Sequence, residues 1–491
     1  MFRSSKLFIA FVLLTGFTTS ALAELRLAGI FSDQMVLQCD RPVQIWGTAD
    51  SVASVSVRFA GESYATQSNE TGEWTLTLKP MSASIQAREL AVSSGKKTLL
   101  VNDVLVGEVW HASGQSNMGM TMAAVAHRLE SARQDLAEAA QPHIRFRRIG
   151  EGPSRASKAD VPKGSGWVQS SAKSAANFSA AAYYFARKLH AELGVPVGII
   201  DTSRGGTPIE PFIPSDAFGS HPTLIRERQL GDADDLHGIW KLPGGVRARD
   251  TNWLPGRLFN SRLAPIARFA VRGTIWYQAE SNCGKAEDPR DYQHKMRALV
   301  TGWRCAFDHP EMPVYFVQLP GSGAGPNWPY MREQQRLSMN LANTGMAVTI
   351  DLLDTSIHPP NKIDVGDRLA RWALAKTYQR KIPFSGPLFK LAAMANGKVT
   401  LYFSHSDSGL MTAIKNGLGP PAESPETKLA HFEVADRSGF WYPSEAVIEG
   451  KNVVVSSAQV PDPIAVRYGY EIDPQYCYLY NRDGLPAAPF C

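Results

Sequence analysis

Between residues 103 and 354 the chain sets five apolar runs in alternation with stretches of helical periodicity, and this pattern constrains the fold more than any other. The runs are "DVLVGEVWHAS", "VPVGIIDTS", "VRGTIWYQAES", "PVYFVQLPG" and "MAVTIDLLD". Among them lie "SAANFSAAAYYFARKLHAELG", "DYQHKMRALVTGWRCAF" and "YMREQQRLSMNLAN", each with helix-spaced apolar residues. Strands that are apolar on both faces and separated by helices predict a mostly parallel sheet covered on both sides, an α/β fold. In such sheets ligands bind beyond the carboxyl ends of the strands, so chemistry is expected there.

The flanks have a different texture. Residues 24–105 read as an N-terminal β-sandwich domain, because "PVQIWGTAD", "SVSVRFAG" and "EWTLTLKP" alternate apolar and polar residues between turn signals. Residues 106–380 form the α/β domain. Residues 381–491 are expected to be β-rich again: "KVTLYF" follows an Asn396-Gly397 hairpin signal, and "NVVVSS" and "IAVRYGY" read as strands. Residues 1–23 resemble a secretory signal, with Arg3 and Lys6 before a short apolar core and Ala21-Leu22-Ala23 as the cleavage site. Cleavage there predicts an exported protein, periplasmic or extracellular, with no later segment able to span a membrane. A net charge of +5 over 491 residues is too diffuse to point to nucleic acid or an anionic membrane. The five cysteines form no C-x-x-C or His/Cys cluster, so no metal site is expected; Cys477–Cys491 or Cys283–Cys305 are conceivable disulfides.

The strand ends carry the chemistry-bearing residues. The first run passes through "GEVWHASGQSNMGM", displaying Ser116; the second ends in "TSRGGTPIE", with Gly205-Gly206; the third in "WYQAESN", with Gln278 and Glu280; the fifth runs through Asp354 into "TSIHPPN", with His358. Taken singly, Gly-Gln-Ser-Asn is more often a polar turn than a nucleophile, and a histidine before two prolines is more often a turn residue. Together, at successive ends of one sheet, they supply what acyl transfer needs. That is a nucleophile (Ser116), a base (His358), and oxyanion donors from the amides of Ser116, Gly205 and Gly206 and the uncharged side-chain amide of Gln278. Glycine allows close backbone approach to a ligand.

The blocks "LRLAGIFSDQMVLQCDRPVQIWGTAD", "GEVWHASGQSNM", "GTPIE", "GTIWYQAESN", "IHPPNK" and "LYNRDGLPAAPF" together resemble the sialate O-acetylesterases over essentially the whole mature chain. The resemblance implies a flavodoxin-like SGNH-hydrolase three-layer sandwich as the catalytic domain, flanked by N- and C-terminal β-rich domains. It implies hydrolysis of O-acetyl esters on a sugar or glycan, most simply sialic acid, with no metal or organic cofactor. It carries the nucleophile onto Ser116 and the base onto His358. Three positions depart from the family's pattern: Arg204 stands where tryptophan is common, Ala279 where glycine is common, and His111 where an apolar residue is common.

The third catalytic member has several readings. The position three residues before His358 is Thr355, and Asp354 lies one further back, so Asp354 is favoured only narrowly. Glu280 shares a face with Gln278 in an extended segment. A Ser–His dyad steadied by a backbone carbonyl is the remaining alternative. Arg204 suits a substrate carboxylate as well as a structural ion pair. The aperiodic segment between Phe218 and Pro255 reads as a lid or substrate wall, with Trp240 and Trp253 as sugar-stacking candidates. Two other activities fit the pattern: an acetylesterase for other polysaccharides such as xylan, and a non-catalytic carbohydrate-binding protein on an esterase scaffold.

Overall fold

The computed structural model describes residues 24–491 except 163, 165, 242–252, 285–288, 323–324, 353 and 355, and without the side chains of Ser220 and Trp240. The expected signal segment 1–23 lies outside the described residues.

One strand organises the molecule. Strand β1 (Lys97–Gly114) is 18 residues long. Its first half pairs antiparallel with Ser84–Ser94 and parallel with Val36–Gln38 of the N-terminal β region. Its second half enters the parallel sheet, where its last eleven residues are all buried. The expected boundary at 105/106 falls inside this continuous strand.

The parallel sheet continues with β2 (Ile144–Arg148), β3 (Val197–Asp201), β4 (Gly273–Tyr277), β5 (Val314–Val317) and β6 (Thr344–Ala347). Their spatial order is β2-β3-β1-β4-β5-β6, every pair parallel. The chain fills one side of β1 with β2 and β3, then crosses to fill the other. The order therefore reverses beside β1, which is where doubly wound sheets open a crevice. A two-residue strand, Val168–Gln169, adds an antiparallel edge beyond β2.

The five apolar runs all become strands; β2 is a sixth that the expectation lacked. Its sequence, Ile-Arg-Phe-Arg-Arg, looks like a charged surface. Arg145 and Arg147 are nonetheless only 3% exposed, because Arg145 pairs with Asp103 at 2.9 Å and Arg147 donates to the Gly29 carbonyl at 3.2 Å. Hydrogen bonding removes most of the cost of burying such groups.

The helices that matter here are α1 (Ser116–Gly119), α2 (Ala180–Leu193), α3 (Pro222–Asp232), α4 (Tyr292–Ala306), α5 (Trp328–Leu337) and α6 (Lys362–Trp372). Ser179 caps α2 by accepting from Ala182 N, and Gly194 ends it in the left-handed conformation. Alternate strand residues feed two separate cores. Phe185 of α2 and Leu369 of α6 join Ile199, Ile275 and Tyr315 on one face. Leu299 and Trp303 of α4 join Ile200, Trp276 and Phe316 on the other. Each such side chain contributes roughly 1.5–3 kcal/mol on full burial, so the sheet is clamped from both sides.

The terminal regions are β-rich, and apart from Val36–Gln38 beside β1 their strand pairs are antiparallel. Ala395 pairs with Lys398 across Asn396 and Gly397, whose φ values of +50° and +72° make the expected two-residue hairpin turn. The segment after Phe218 is more regular than its composition suggests: it contains α3 and a short helix, Leu236–Trp240. The Trp240 side chain and residues 242–252 lie outside the described residues, and Trp253 is half-buried. Among the described residues no disulfide forms; Cys477 is buried while Cys491 is exposed. No described helix is long and apolar enough to cross a membrane.

Candidate active site at the strand ends

Strand β1 ends in a turn that only its own sequence permits. Gly114 has φ +137°, and a Cβ there would stand 2.1 Å from the Tyr277 main-chain oxygen of β4. Gln115 N then donates to that oxygen at 2.9 Å, and Ser116 opens α1. As the first helical residue, Ser116 has an amide without an intrahelical acceptor. His358 lies on the loop between β6 and α6, and its Nε2 is 2.7 Å from Ser116 Oγ. The sheet thus brings together two residues 242 positions apart. With the imidazole proton on Nδ1, Nε2 accepts from the hydroxyl, the geometry of an activated nucleophile. Burial lowers the His358 pKa below its ordinary 6.5, and the positive charges of Lys362 and Arg128 lower it further.

The paired glycines also sit beside the serine. Arg204 N donates to the Gly114 carbonyl at 2.9 Å, which anchors the following turn. A Cβ on Gly205 would lie 3.6 Å from Ser116 Cβ, and Gly206 has φ +67°. The Arg204 side chain is half-buried and forms no hydrogen bond or ion pair among the described residues.

Gln278 departs from expectation. It is fully buried, and its Nε2 donates to Asn282 Oδ1 at 2.8 Å, Gln115 Oε1 at 3.1 Å and Thr207 O at 3.3 Å. Its Oε1 accepts from the Tyr292 hydroxyl at 2.9 Å. Two amide hydrogens already face three acceptors, so none is left for an oxyanion. The side chain points instead into a buried polar chain. Asn282 Nδ2 donates to both Glu210 oxygens, at 3.1 and 3.2 Å, and Lys295 of α4 bridges Glu210 to Glu227 of α3. Gln278 holds Gln115, the residue before the nucleophile.

Neither acid meets the imidazole among the described residues. Both Asp354 oxygens lie 2.9 Å from Arg128 Nη2, and Oδ1 also accepts from Ser356 N at 2.8 Å. Arg128 Nη1 donates to the His358 carbonyl at 2.7 Å, so Asp354 reaches His358 through a guanidinium rather than directly. Glu280 is also turned away: its Oε1 accepts from Asn117 Nδ2 at 2.5 Å. Burial raises the Glu280 pKa.

Three residues of this site were not singled out by sequence reasoning. Asn117 and Lys362 lie inside the quoted blocks "GQSN" and "IHPPNK", so their signal was present. Arg128 belongs to no motif. Lys362 is fully buried and donates to Asn117 Oδ1 at 2.6 Å and to the Pro359 carbonyl at 2.8 Å. Its pKa falls to about 7, chiefly through burial. One group with metal-ligating atoms within 4.8 Å of one another, Cys39, Asp40 and Glu108, occurs among the described residues. It involves Glu108 of β1, whose carboxylate Arg272 holds at 2.7 and 2.9 Å.

Comparison with known proteins places the chain among carbohydrate esterases. Residues 244–375 match the family model described as carbohydrate esterase, sialic acid-specific acetylesterase. A carbohydrate acetylesterase from Xanthomonas citri superposes with a TM-score of 0.82 at 31% identity, covering 95% of this chain and 98% of that one. The fold and the site define a carbohydrate esterase. The sialate O-acetylesterases of Mus musculus and Homo sapiens are 26% and 28% identical, over 98% and 95% of this chain and 97% and 92% of theirs. The chain belongs to the sialate O-acetylesterase family.

Proposed function

We propose that this protein removes O-acetyl groups from sugars through an acetyl-serine intermediate on Ser116, with His358 as general base. The observation that carries this reading is the 2.7 Å contact between Ser116 Oγ and His358 Nε2 at the point where the strand order reverses. Ser116 Oγ attacks the acetyl carbonyl carbon as its proton passes to Nε2. The amides of Ser116, Gly205 and Gly206 face the developing oxyanion. The tetrahedral species collapses, Nε2 returns the proton to the departing sugar oxygen, and the acetyl group stays on Ser116. Water then repeats the sequence: His358 takes its proton, the acyl bond breaks, and acetate leaves.

In this reading Ser116 and His358 work as a dyad, while Asp354 acts through Arg128 to hold the histidine loop. Gln278 positions Gln115. The strand order and the helices on both faces support a flavodoxin-like SGNH sandwich for 106–380, between β-rich regions 24–105 and 381–491. Export after removal of 1–23 belongs to the same proposal.

The substrate is an acetylated sialic acid. Its carboxylate suits the Arg204 guanidinium, which is unengaged among the described residues and offers a planar pair of donors. An acetylated chain of neutral xylose has no such carboxylate. Ser116→Ala should abolish acetate release; unchanged release would refute Ser116 as the nucleophile, and no release by the wild-type protein would leave a carbohydrate-binding role on an esterase scaffold. Arg204→Ala should weaken kcat/KM on acetylated sialic acid more than on acetylated xylo-oligosaccharide, and an equal loss on both would refute the carboxylate contact.

A further inference from the structure

Lys362 is an amine in a place that disfavours its charged form. It is the first residue of α6, where the helix dipole is positive, and it is 0% exposed. Both conditions cost free energy, and among the described residues no carboxylate pairs with it directly. Its Nζ donates instead to Asn117 Oδ1 and to the Pro359 carbonyl, at 2.6 and 2.8 Å.

Those two acceptors identify its role. Asn117 follows Ser116, and Pro359 follows His358. Asn117 adds a second link, because its Nδ2 donates to the carbonyl of Ile357, on the other side of His358, at 2.8 Å. The same Nδ2 also binds Glu280, which fixes the amide's orientation so that Oδ1 faces the lysine. We infer that Lys362 is a positioning residue: with Asn117 it straps the nucleophile's turn to the base's loop and thereby sets the Ser116–His358 contact. This inference rests on the assignment of Ser116 and His358 given above.

The charge has a second effect. Lys362 faces Glu280 across Asn117, the ring of Tyr277 at 5.1 Å, and Arg128 and Asp354 toward the solvent side. Arg128 and Lys362 are the two cations acting on His358, and both favour the neutral imidazole that can accept a proton. Removing Lys362 thus loosens the contact and raises the pH at which His358 protonates.

The test compares Lys362→Met and Lys362→Arg on one acetylated sugar. Lys362→Met should lower kcat about 10–100-fold, the scale of a misplaced catalytic pair, with KM changed less than about 3-fold. The acid limb of its kcat/KM profile should move to higher pH. Lys362→Arg should keep the limb in place and recover part of kcat. A kcat within about 2-fold of wild type for Lys362→Met, or an unmoved limb, overturns the inference. If Lys362→Met does not fold, Asn117→Ala cuts the strap from the other end: a comparable kcat loss is expected, and an unchanged kcat overturns it. Ser116→Ala separates the two readings. Residual turnover in that variant refutes the nucleophile itself, whereas a silent Ser116→Ala beside a normal Lys362→Met refutes only the strap.

Discussion

Arg128 carries Asp354 on one nitrogen of its guanidinium, with both carboxylate oxygens at 2.9 Å, and the His358 main chain on another at 2.7 Å. The carboxylate therefore governs the backbone of the histidine loop rather than the imidazole. Asp354→Asn should lower kcat only about 3–10-fold, far less than the loss on the order of 10⁴-fold that follows when an acid orienting a catalytic histidine is replaced. Steady-state kinetics on an acetylated sugar decide this, and a loss approaching that larger figure would place Asp354 on the imidazole during turnover.

The pH dependence of the wild type follows from the environment of His358. Its pKa is held below 6.5 by burial and by two neighbouring cations. The base works only when neutral, so activity falls as pH drops through the lowered value. The acid limb of kcat/KM, which reports the free enzyme, should have its midpoint below 6.5. A midpoint at or above 6.5 contradicts the assignment of His358 as the base.

His111 predicts a stability profile. It is fully buried in β1, with Nε2 at 2.8 Å from Thr202 Oγ1, and burial drives its pKa to about 3. In the unfolded chain it titrates near 6.5, so between these values the unfolded state binds a proton that the folded state does not. Its contribution to stability is complete above about pH 6.5 and declines as pH falls toward 3, by about 1.4 kcal/mol per pH unit. Urea unfolding of His111→Gln across pH 4–6 should show a shallower slope than wild type; an identical slope would mean that His111 takes up its proton without unfolding.

Ala279 occupies a backbone conformation suited to glycine. Its φ is +152° and its side chain is fully buried. Such strain costs on the order of 1–3 kcal/mol, against about 0.5–1 kcal/mol for glycine's extra unfolded-state entropy and about 0.8 kcal/mol for the lost methyl. Ala279→Gly should therefore fall between about 1 kcal/mol destabilising and about 2 kcal/mol stabilising, where the same change at an unstrained buried site costs the full entropy and methyl terms. Chemical denaturation measures the difference, and a loss above about 1 kcal/mol would show that the φ carries no strain.

Much of this is legible in the sequence because local rules suffice for it. Apolar runs mark five of six strands, and the strand-end rule places Ser116 and His358 in one crevice although 242 residues separate them. Strand β2 escapes because the partners that make Arg145 and Arg147 tolerable, Asp103 and Gly29, lie far away in the chain. Gln278 is misread for a related reason. Residue type gives its donor capacity, but only packing shows that Gln115, Asn282 and Thr207 consume it. Arg128 joins the site from outside any motif, through contacts 226 and 230 residues distant.

Strand β1 leaves no slack between the N-terminal β region and Ser116. Partners hold it from Lys97 to Gly114, with Val36–Gln38 beside Leu105–Gly107 and β3 beside Glu108–Ala112. A residue adds about 3.3 Å and reverses which face its side chain takes. Losing one residue near Val106 would either slip the upstream ladder or pull the serine out of reach of its histidine. The N-terminal region thus acts as a gauge block for the catalytic spacing, and its register is inherited at the far end of the strand.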